Sequence, residues 1–234
     1  MADRPLAVVL DVGGIFHLPD HEKVLGAFSR GGFEARADDL DRAHYEGAAQ
    51  FTCDYEGDLP WRAFWGAYLV EYARVCGVPD DQFTEVHEHL DAEFASGGLW
   101  SRVVPGSVEG LRALDATGVQ LAIVSNADGS VGARLREQEV LQVGPGLGVE
   151  VACVIDSGEV GVSKPDPRIF HIALDALGIE AHDAWYVGDM PGIDVVGARA
   201  AGLRPFVMDP YALHDGADYE RVTSVADIAS LVGK

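Results

Sequence analysis

Cysteine is scarce. The chain holds three, Cys53, Cys76 and Cys153, far apart and with no CxxC pair. An odd, scattered set reads as buried free thiols in a reducing compartment, not as a disulfide framework. Positive charge is scarce too: 17 Lys and Arg stand against 38 Asp and Glu, a net charge of −21. Such a chain repels nucleic acid and anionic membranes. It repels anionic substrates as well, so a phosphate-handling site here needs local positive charge or a metal. Long apolar runs are missing, and no stretch approaches the roughly 18 residues of a membrane span. Met1 to Pro5 lead into a short apolar run without the cleavage pattern of a signal peptide. The expectation is a soluble cytoplasmic protein, with no internal repeat and no low-complexity tract. What is present is ordinary for a globular chain: 234 residues, 48% hydrophobic and 24% charged. That is one domain, or one domain with a sizeable insert, large enough to bury a core without staples.

Five short apolar runs carry the organisation. They are Leu6 to Leu10, Val119 to Val124, Val151 to Ile155, Ala184 to Val187 and Pro205 to Met208. Runs of this kind fit strands buried on both faces. Each stops at a small or acidic residue: Asp11, Ser125, Asp156, Gly188-Asp189 and Asp209. Helical patterns separate them over Ser107–Thr117, Gly129–Glu137, Asp166–Leu177 and Ile193–Ala201. Alternating strands and helices predict an α/β fold, a parallel sheet with helices on both faces. Ligands of such sheets bind at the carboxyl ends of the strands, where Asp11, Ser125 and Asp189 fall.

The stretch from His17 to Ser96 lacks any clear buried-strand run. Helical patterns dominate at His21–Arg30, Trp61–Cys76 and Asp80–Phe94, divided by Gly31-Gly32, Gly57 to Pro60 and Gly77-Val78-Pro79. The expected organisation is a core of residues 1–16 and 97–234 with an all-helical insert over 17–96.

Four segments fall in order along the core. They are Asp11-Val12-Gly13-Gly14 after the first run, Ile123-Val124-Ser125-Asn126, Ser163-Lys164-Pro165-Asp166-Pro167, and Gly188-Asp189-Met190-Pro191-Gly192-Ile193-Asp194. Together they supply a carboxylate nucleophile, a hydroxyl with backbone amides, a fixed cation and an acid pair able to hold a metal. Singly each has a plain reading: a turn, a surface lysine, a proline-led helix start. In this order at strand ends they resemble the haloacid dehalogenase (HAD) superfamily, in its subclass with a helical cap inserted after the first core strand. The resemblance implies a Rossmann-like core, Mg2+ dependence and, most often, phosphate-ester hydrolysis. By that resemblance Asp11 is the nucleophile that becomes an aspartyl phosphate. Ser125 and the Asn126 amide hold the phosphoryl oxygens, and Lys164 neutralises charge between Asp11 and the phosphoryl group. Asp11, the Gly13 carbonyl and Asp189 are metal ligands, with Asp194 supporting them. The charges agree: a carboxylate attacking phosphate in so acidic a protein needs Mg2+ and Lys164 to oppose the repulsion.

One position departs from the pattern. Phosphatases of the family usually carry a second aspartate two residues after the nucleophile, as acid and base for the leaving oxygen and the water. Gly13 stands there. Its absence removes help typically worth about 10²–10⁴ in rate. A leaving group that needs little protonation, such as an anomeric or aryl phosphate, offsets the loss. A nearby His17, Asp20 or His21 supplying the proton is a second explanation, and changed or lost chemistry a third. The corresponding alternatives are a non-catalytic phosphate-binding regulator and a metal-independent dehalogenase. The dehalogenases of the family lack the Gly-Asp metal signature that this chain keeps at Asp189 and Asp194. Substrate choice falls to the insert, with Arg42, His44, Tyr45, Trp61, Arg62 and Trp65 as candidates. Arg42 and His44 are taken as substrate-binding, although Arg42 to Tyr45 also reads as a solvated face. Trp61, Phe64, Trp65 and Tyr68 have the spacing of helix core positions. The expected partner is a small phosphorylated metabolite, and the expected assembly a monomer or homodimer.

Overall fold

The computed structural model describes residues 4–50 and 61–233, without the side chains of 61–64. Cys53, the Gly57 to Pro60 break and the side chains of Trp61, Arg62 and Phe64 lie outside the described residues. The chain opens with strand β1 (Ala7–Leu10) and the short β2 (His17–Pro19). Four helices follow: α1 (His21–Arg30), α2 (Ala37–Ala48), α3 (Trp61–Val75) and α4 (Phe83–Phe94). Next come β3 (Trp100–Val103), α5 (Ser107–Asp115), β4 (Gln120–Ser125), α6 (Val131–Glu137), β5 (Leu141–Val143) and β6 (Val149–Val151). The remainder is β7 (Cys153–Asp156), α7 (Ser157–Val160), α8 (Arg168–Leu177), β8 (Ala184–Gly188), α9 (Pro191–Ala201), β9 (Arg204–Met208), β10 (Glu220–Val222) and α10 (Val225–Val232).

Six strands form one parallel sheet in the order β10-β9-β8-β1-β4-β7. Five of them are the five apolar runs. Their continuous hydrophobicity follows from burial on both faces. Val8, Leu10, Leu121, Ile123, Trp185 and Val187 point into a cluster with Leu111 and Leu114 of α5 and Ile228 of α10. Ala7, Val9, Ala122, Val124, Ala184 and Tyr186 point into the opposite cluster with Phe170 of α8 and Ala198 of α9. The sixth strand, β10, escapes the sequence pattern because Glu220 and Arg221 are exposed.

Helices α1 to α4 build a third cluster around Phe28, Leu40, Tyr68, Leu69, Tyr72, Val86 and Leu90. Among the described residues, Ile193 of α9 is the buried residue of the sheet's flanking helices that joins it. The polypeptide enters and leaves this layer through the antiparallel pair of β2 and β3, with His17 opposite Val103 and Leu18 opposite Arg102. Helix α2 is absent from the sequence-predicted elements. Its acidic exposed face hides a buried face of Leu40, Ala43, His44, Tyr45 and Ala48. Of the cysteines, Cys76 is buried and Cys153 half-buried, and both are free. Among the described residues no helix is long and apolar enough to cross a membrane.

Candidate active site

Strands β1 and β8 are neighbours, so the residues that follow them meet above the sheet edge. The Asp11 amide still continues the ladder to the Val187 carbonyl (2.9 Å). Its carboxylate turns up into the opening, where Oδ1 accepts from the Val12 amide (2.7 Å) and Oδ2 faces the Lys164 ammonium at 2.6 Å. Lys164 is one of three lysines in the chain, yet it is only 3% exposed. Burying an ammonium is tolerable only with full pairing. Nζ donates to Asp194 Oδ1 (2.8 Å) and to the Tyr186 hydroxyl (2.7 Å), which itself donates to Asp194 Oδ1 (2.8 Å). Two reciprocal bonds hold the backbone of Lys164: its amide donates to Asn126 Oδ1 (2.8 Å) and its carbonyl accepts from Asn126 Nδ2 (3.0 Å).

Asp194, in the first turn of α9, spends its other oxygen on the amides of Asp189 (3.0 Å) and Met190 (2.8 Å). It thereby fixes the turn that presents Asp189. Two glycines make the approach possible. A Cβ on Gly188 would collide with the Asp194 carboxylate. Gly14 has φ +68°, and a Cβ there would lie 2.5 Å from the Asp189 carboxylate carbon. Gly13 differs: its backbone is outside the left-handed region, and a Cβ would meet only the Trp100 ring at 3.8 Å.

Asp11, Asp189 and Asp194 each offer an oxygen within 4.8 Å of the other two, and all are buried. Three carboxylates against one ammonium leave two negative charges unbalanced, the charge a divalent cation brings. Asp189 Oδ2 is buried and faces the His44 Nε2 at 2.9 Å. Three hard oxygen donors with their charge unanswered fit Mg2+. The protonation behaviour reports the same crowding. Burial pushes the Asp11 carboxyl up to about 7; Lys164 opposes the rise, and Asp194 and Asp189 add to it. Burial likewise raises Asp189, against a lowering contribution from His44. Burial alone would depress Lys164, but Asp11 and Asp194 outweigh it and hold the ammonium above its ordinary range.

These groups line one cavity of about 460 Å³. Asp11, Gly13, Ser125, Asn126, Lys164, Asp189 and Asp194 all reach it, so the four sequence segments converge. Its far wall is Trp65, Phe94 and Trp100, with Arg134 and Asp128 at the side. The substrate-binding assignments in the helical layer fare differently. Arg42 does not line the cavity; it is exposed and its Nε donates to Glu46 (2.7 Å). His44 does not line it either, nor is it solvated: it is fully buried, with Nε2 2.9 Å from Asp189 Oδ2. Of the three acid candidates near Gly13, only His17 lines the cavity. Its Nε2 is bonded to Gln138 Oε1 (2.6 Å), and burial lowers its pKa. Asp20 caps α1 by accepting from the Lys23 amide (3.0 Å), and His21 pairs with Asp41 (2.8 Å).

Sequence reasoning missed Tyr186 and Arg134. A tyrosine inside the apolar run of β8 carried a signal, because a buried hydroxyl needs a partner. Arg134 gave none; its guanidinium is held at the cavity by the Trp100 carbonyl (3.2 Å) and the Ser130 hydroxyl (2.9 Å).

The chain is similar to several known proteins. The mouse haloacid dehalogenase-like hydrolase domain-containing protein 3 is 35% identical over 151 residues, 64% of this chain and 57% of that protein. The phosphoserine phosphatase of Thermus thermophilus is 45% identical over 92 residues, 39% of this chain and 34% of its own length. The phosphoglycolate phosphatase of Rhodospirillum rubrum is 35% identical over 130 residues, 55% of this chain and 51% of that enzyme. The matches thus span roughly a third to somewhat over half of those relatives. A HAD-superfamily hydrolase from Ehrlichia chaffeensis superposes with a TM-score of 0.60 at 17% identity, over 99% of this chain and 98% of its own. The family profile of haloacid dehalogenase-like hydrolases matches residues 19–202. That span holds Ser125, Lys164, Asp189 and Asp194 but begins after Asp11, whose place rests on geometry. The chain belongs to the haloacid dehalogenase-like hydrolase family.

Proposed function

We propose that this hydrolase is a Mg2+-dependent phosphatase that cleaves a small organic phosphate monoester through an aspartyl phosphate on Asp11. The observation that carries the reading is the Lys164 ammonium, buried and bonded to both Asp11 and Asp194 at 2.6 and 2.8 Å. A fixed cation beside a carboxylate, in a protein of net charge −21, is what an incoming phosphate needs. Two relatives named as phosphatases support the same reaction class. Residues 1–16 and 97–234 are read as the catalytic core and 17–96 as a helical cap, the separate aromatic cluster of α1 to α4 supporting the division.

In this scheme an Asp11 oxygen attacks phosphorus and the bond to the leaving oxygen breaks. Lys164 opposes the charge between attacker and phosphoryl group, and the Ser125 hydroxyl and Asn126 amide receive the phosphoryl oxygens. Asp11, Asp189 and the Gly13 carbonyl would hold Mg2+, with Asp194 bracing them from behind. The ion, when bound, lowers the repulsion between the carboxylate and the phosphate. The aromatic wall of Trp65, Phe94 and Trp100 excludes water and receives the organic part. Gly13 brings no acid to the leaving oxygen, so the substrate is one whose oxygen departs without a proton, an aryl or anomeric phosphate.

The test is phosphate release from aryl, anomeric and alkyl phosphates, with Mg2+ and with chelator, beside Asp11→Asn. Release that needs Mg2+, disappears in the variant and follows leaving-group quality is the expected result. Thermal stabilisation by phosphate with no release from any substrate would replace the phosphatase by a binding protein. Halide release insensitive to chelator would replace it by a dehalogenase.

A further inference from the structure

Helix α2 reaches the candidate metal site through two consecutive side chains. The Tyr45 hydroxyl donates to the Gly14 carbonyl at 2.6 Å, gripping the loop after Asp11. His44 grips Asp189: its Nε2 lies 2.9 Å from Oδ2, with both side chains 1% exposed or less. Neither atom has a hydrogen-bond partner elsewhere among the described residues. Each is therefore the other's only hydrogen-bonding counterpart among the described residues, at a buried position where an unanswered group is costly.

Asp189 on the near side requires the proton on Nε2, and the far side of the ring accommodates it. Nδ1 lies 3.0 Å from the Tyr68 hydroxyl. Burial raises the Tyr68 phenol well above its ordinary range, so it keeps its proton and can donate. If Nδ1 carried the proton instead, a bare Nε2 lone pair would face a carboxylate oxygen at 2.9 Å, which is repulsive. The consistent arrangement is Tyr68 O–H to Nδ1 and Nε2–H to Asp189 Oδ2. One carboxylate oxygen is then held by α2, and the other is left for the side shared with Asp11.

We infer that His44 is a positioning residue for the metal carboxylate, so that the seating of α2 against the sheet and the affinity of the site for its divalent ion are one coupled property. The inference rests on the reading of Asp189 as a metal ligand. Histidine usually occupies the first coordination sphere with a carboxylate behind it; here the order is inverted, and the carboxylate is steered by a histidine on a different layer of the molecule. Partners of this outer kind typically change metal affinity by about 10- to 100-fold when removed.

The experiment is calorimetric titration of the metal-free protein with Mg2+, in the wild type, His44→Leu, His44→Gln and Tyr68→Phe. His44→Leu is expected to weaken Mg2+ binding by about 10- to 100-fold. His44→Gln, whose amide returns a donor near Nε2, is expected to recover most of that loss. Tyr68→Phe is expected to fall between them. Turnover of His44→Leu should suffer more at limiting than at saturating Mg2+. A folded His44→Leu that binds Mg2+ as tightly as the wild type, or more tightly, overturns the inference while leaving the metal site standing. A wild type that binds no Mg2+ overturns the metal reading and this inference together. Should His44→Leu not fold, the wild-type imidazole decides: its ¹⁵N spectrum must show the proton on Nε2, and a proton on Nδ1 alone overturns the assignment.

Discussion

At the carboxyl edge of the sheet, Asp11, Lys164, Tyr186 and Asp194 are tied by contacts of 2.6–2.8 Å. Across the same cavity Trp65, Phe94 and Trp100, backed by Tyr68, meet as tilted or edge-on rings, with centroids 5.1–6.4 Å apart. The first group is directional. Each atom has a named partner, so one change leaves a buried charge unanswered. The second group is shaped by packing, which tolerates substitution of similar volume. Under the proposed function, polar side chains govern the chemical step and aromatic ones the fit of the substrate. Altering the two walls should divide between kcat and KM.

The largest effect is expected at Asp11. Asp11→Asn keeps the volume and removes the nucleophile, so turnover should fall by about 10⁴-fold or more, read as phosphate release. Next is Gly13→Asp, which restores a carboxyl where the Cβ has room beside Trp100. Alkyl phosphates should then turn over about 10²–10⁴ faster, with aryl phosphates little changed. An equal gain on both would break the leaving-group argument. Lys164→Met removes the cation between Asp11 and Asp194 but keeps its stem. Loss of one partner from a buried pair costs about 3–5 kcal/mol, to be measured by denaturant unfolding in chelator, and Mg2+ should recover part of it. On the aromatic side, Trp100→Leu should raise KM by about three- to tenfold with a smaller change in kcat, the scale of a lost aromatic contact. A larger fall in kcat than rise in KM would erase the division between the walls.

The gentlest probe is pH. The Asp11 carboxyl stands at about 7 in the folded chain against an ordinary 3.8. Below the ordinary value both states are protonated and the group contributes nothing. Between the two values the folded chain keeps a proton that the unfolded chain has released, so stability from this group falls as pH rises. Metal binding needs the ionised carboxylate. Stabilisation by Mg2+ in thermal melts should therefore grow between about pH 5 and about pH 8. A constant shift across that range would show that Asp11 does not take part in binding the ion.

Much of the sheet was legible because strands buried on both faces are apolar through their middles, as β1, β4, β7, β8 and β9 are, with polar residues only at their ends. Strand β10 was not, because its side chains at Glu220 and Arg221 face solvent. The four-segment site was legible because its chemistry lies in short local motifs. Strand-end acids alone would have misled. Asp156 spends its carboxylate on the amides of Gly129, Val131 and Gly158, and Asp209 on those of Leu213 and His214 and on Arg221. These are caps and braces, with the same sequence signature as Asp11. His44 was placed on the substrate because its partner, Asp189, lies on a distant strand end and no local pattern joins them. Arg42, two residues earlier, faces outward on the same helix. Periodicity alone could have separated the two faces, but the many acids of α2 concealed its buried side.

The central claim is that Asp11 carries the phosphoryl group between two half-reactions. The most direct measurement is acid quenching during turnover of an aryl phosphate with Mg2+, followed by peptide mass spectrometry. The account predicts a phosphoryl group on the peptide containing Asp11, absent with chelator and absent in Asp11→Asn. Turnover with no phosphorylated peptide under any quench, or a phosphoryl group on another residue, would contradict it.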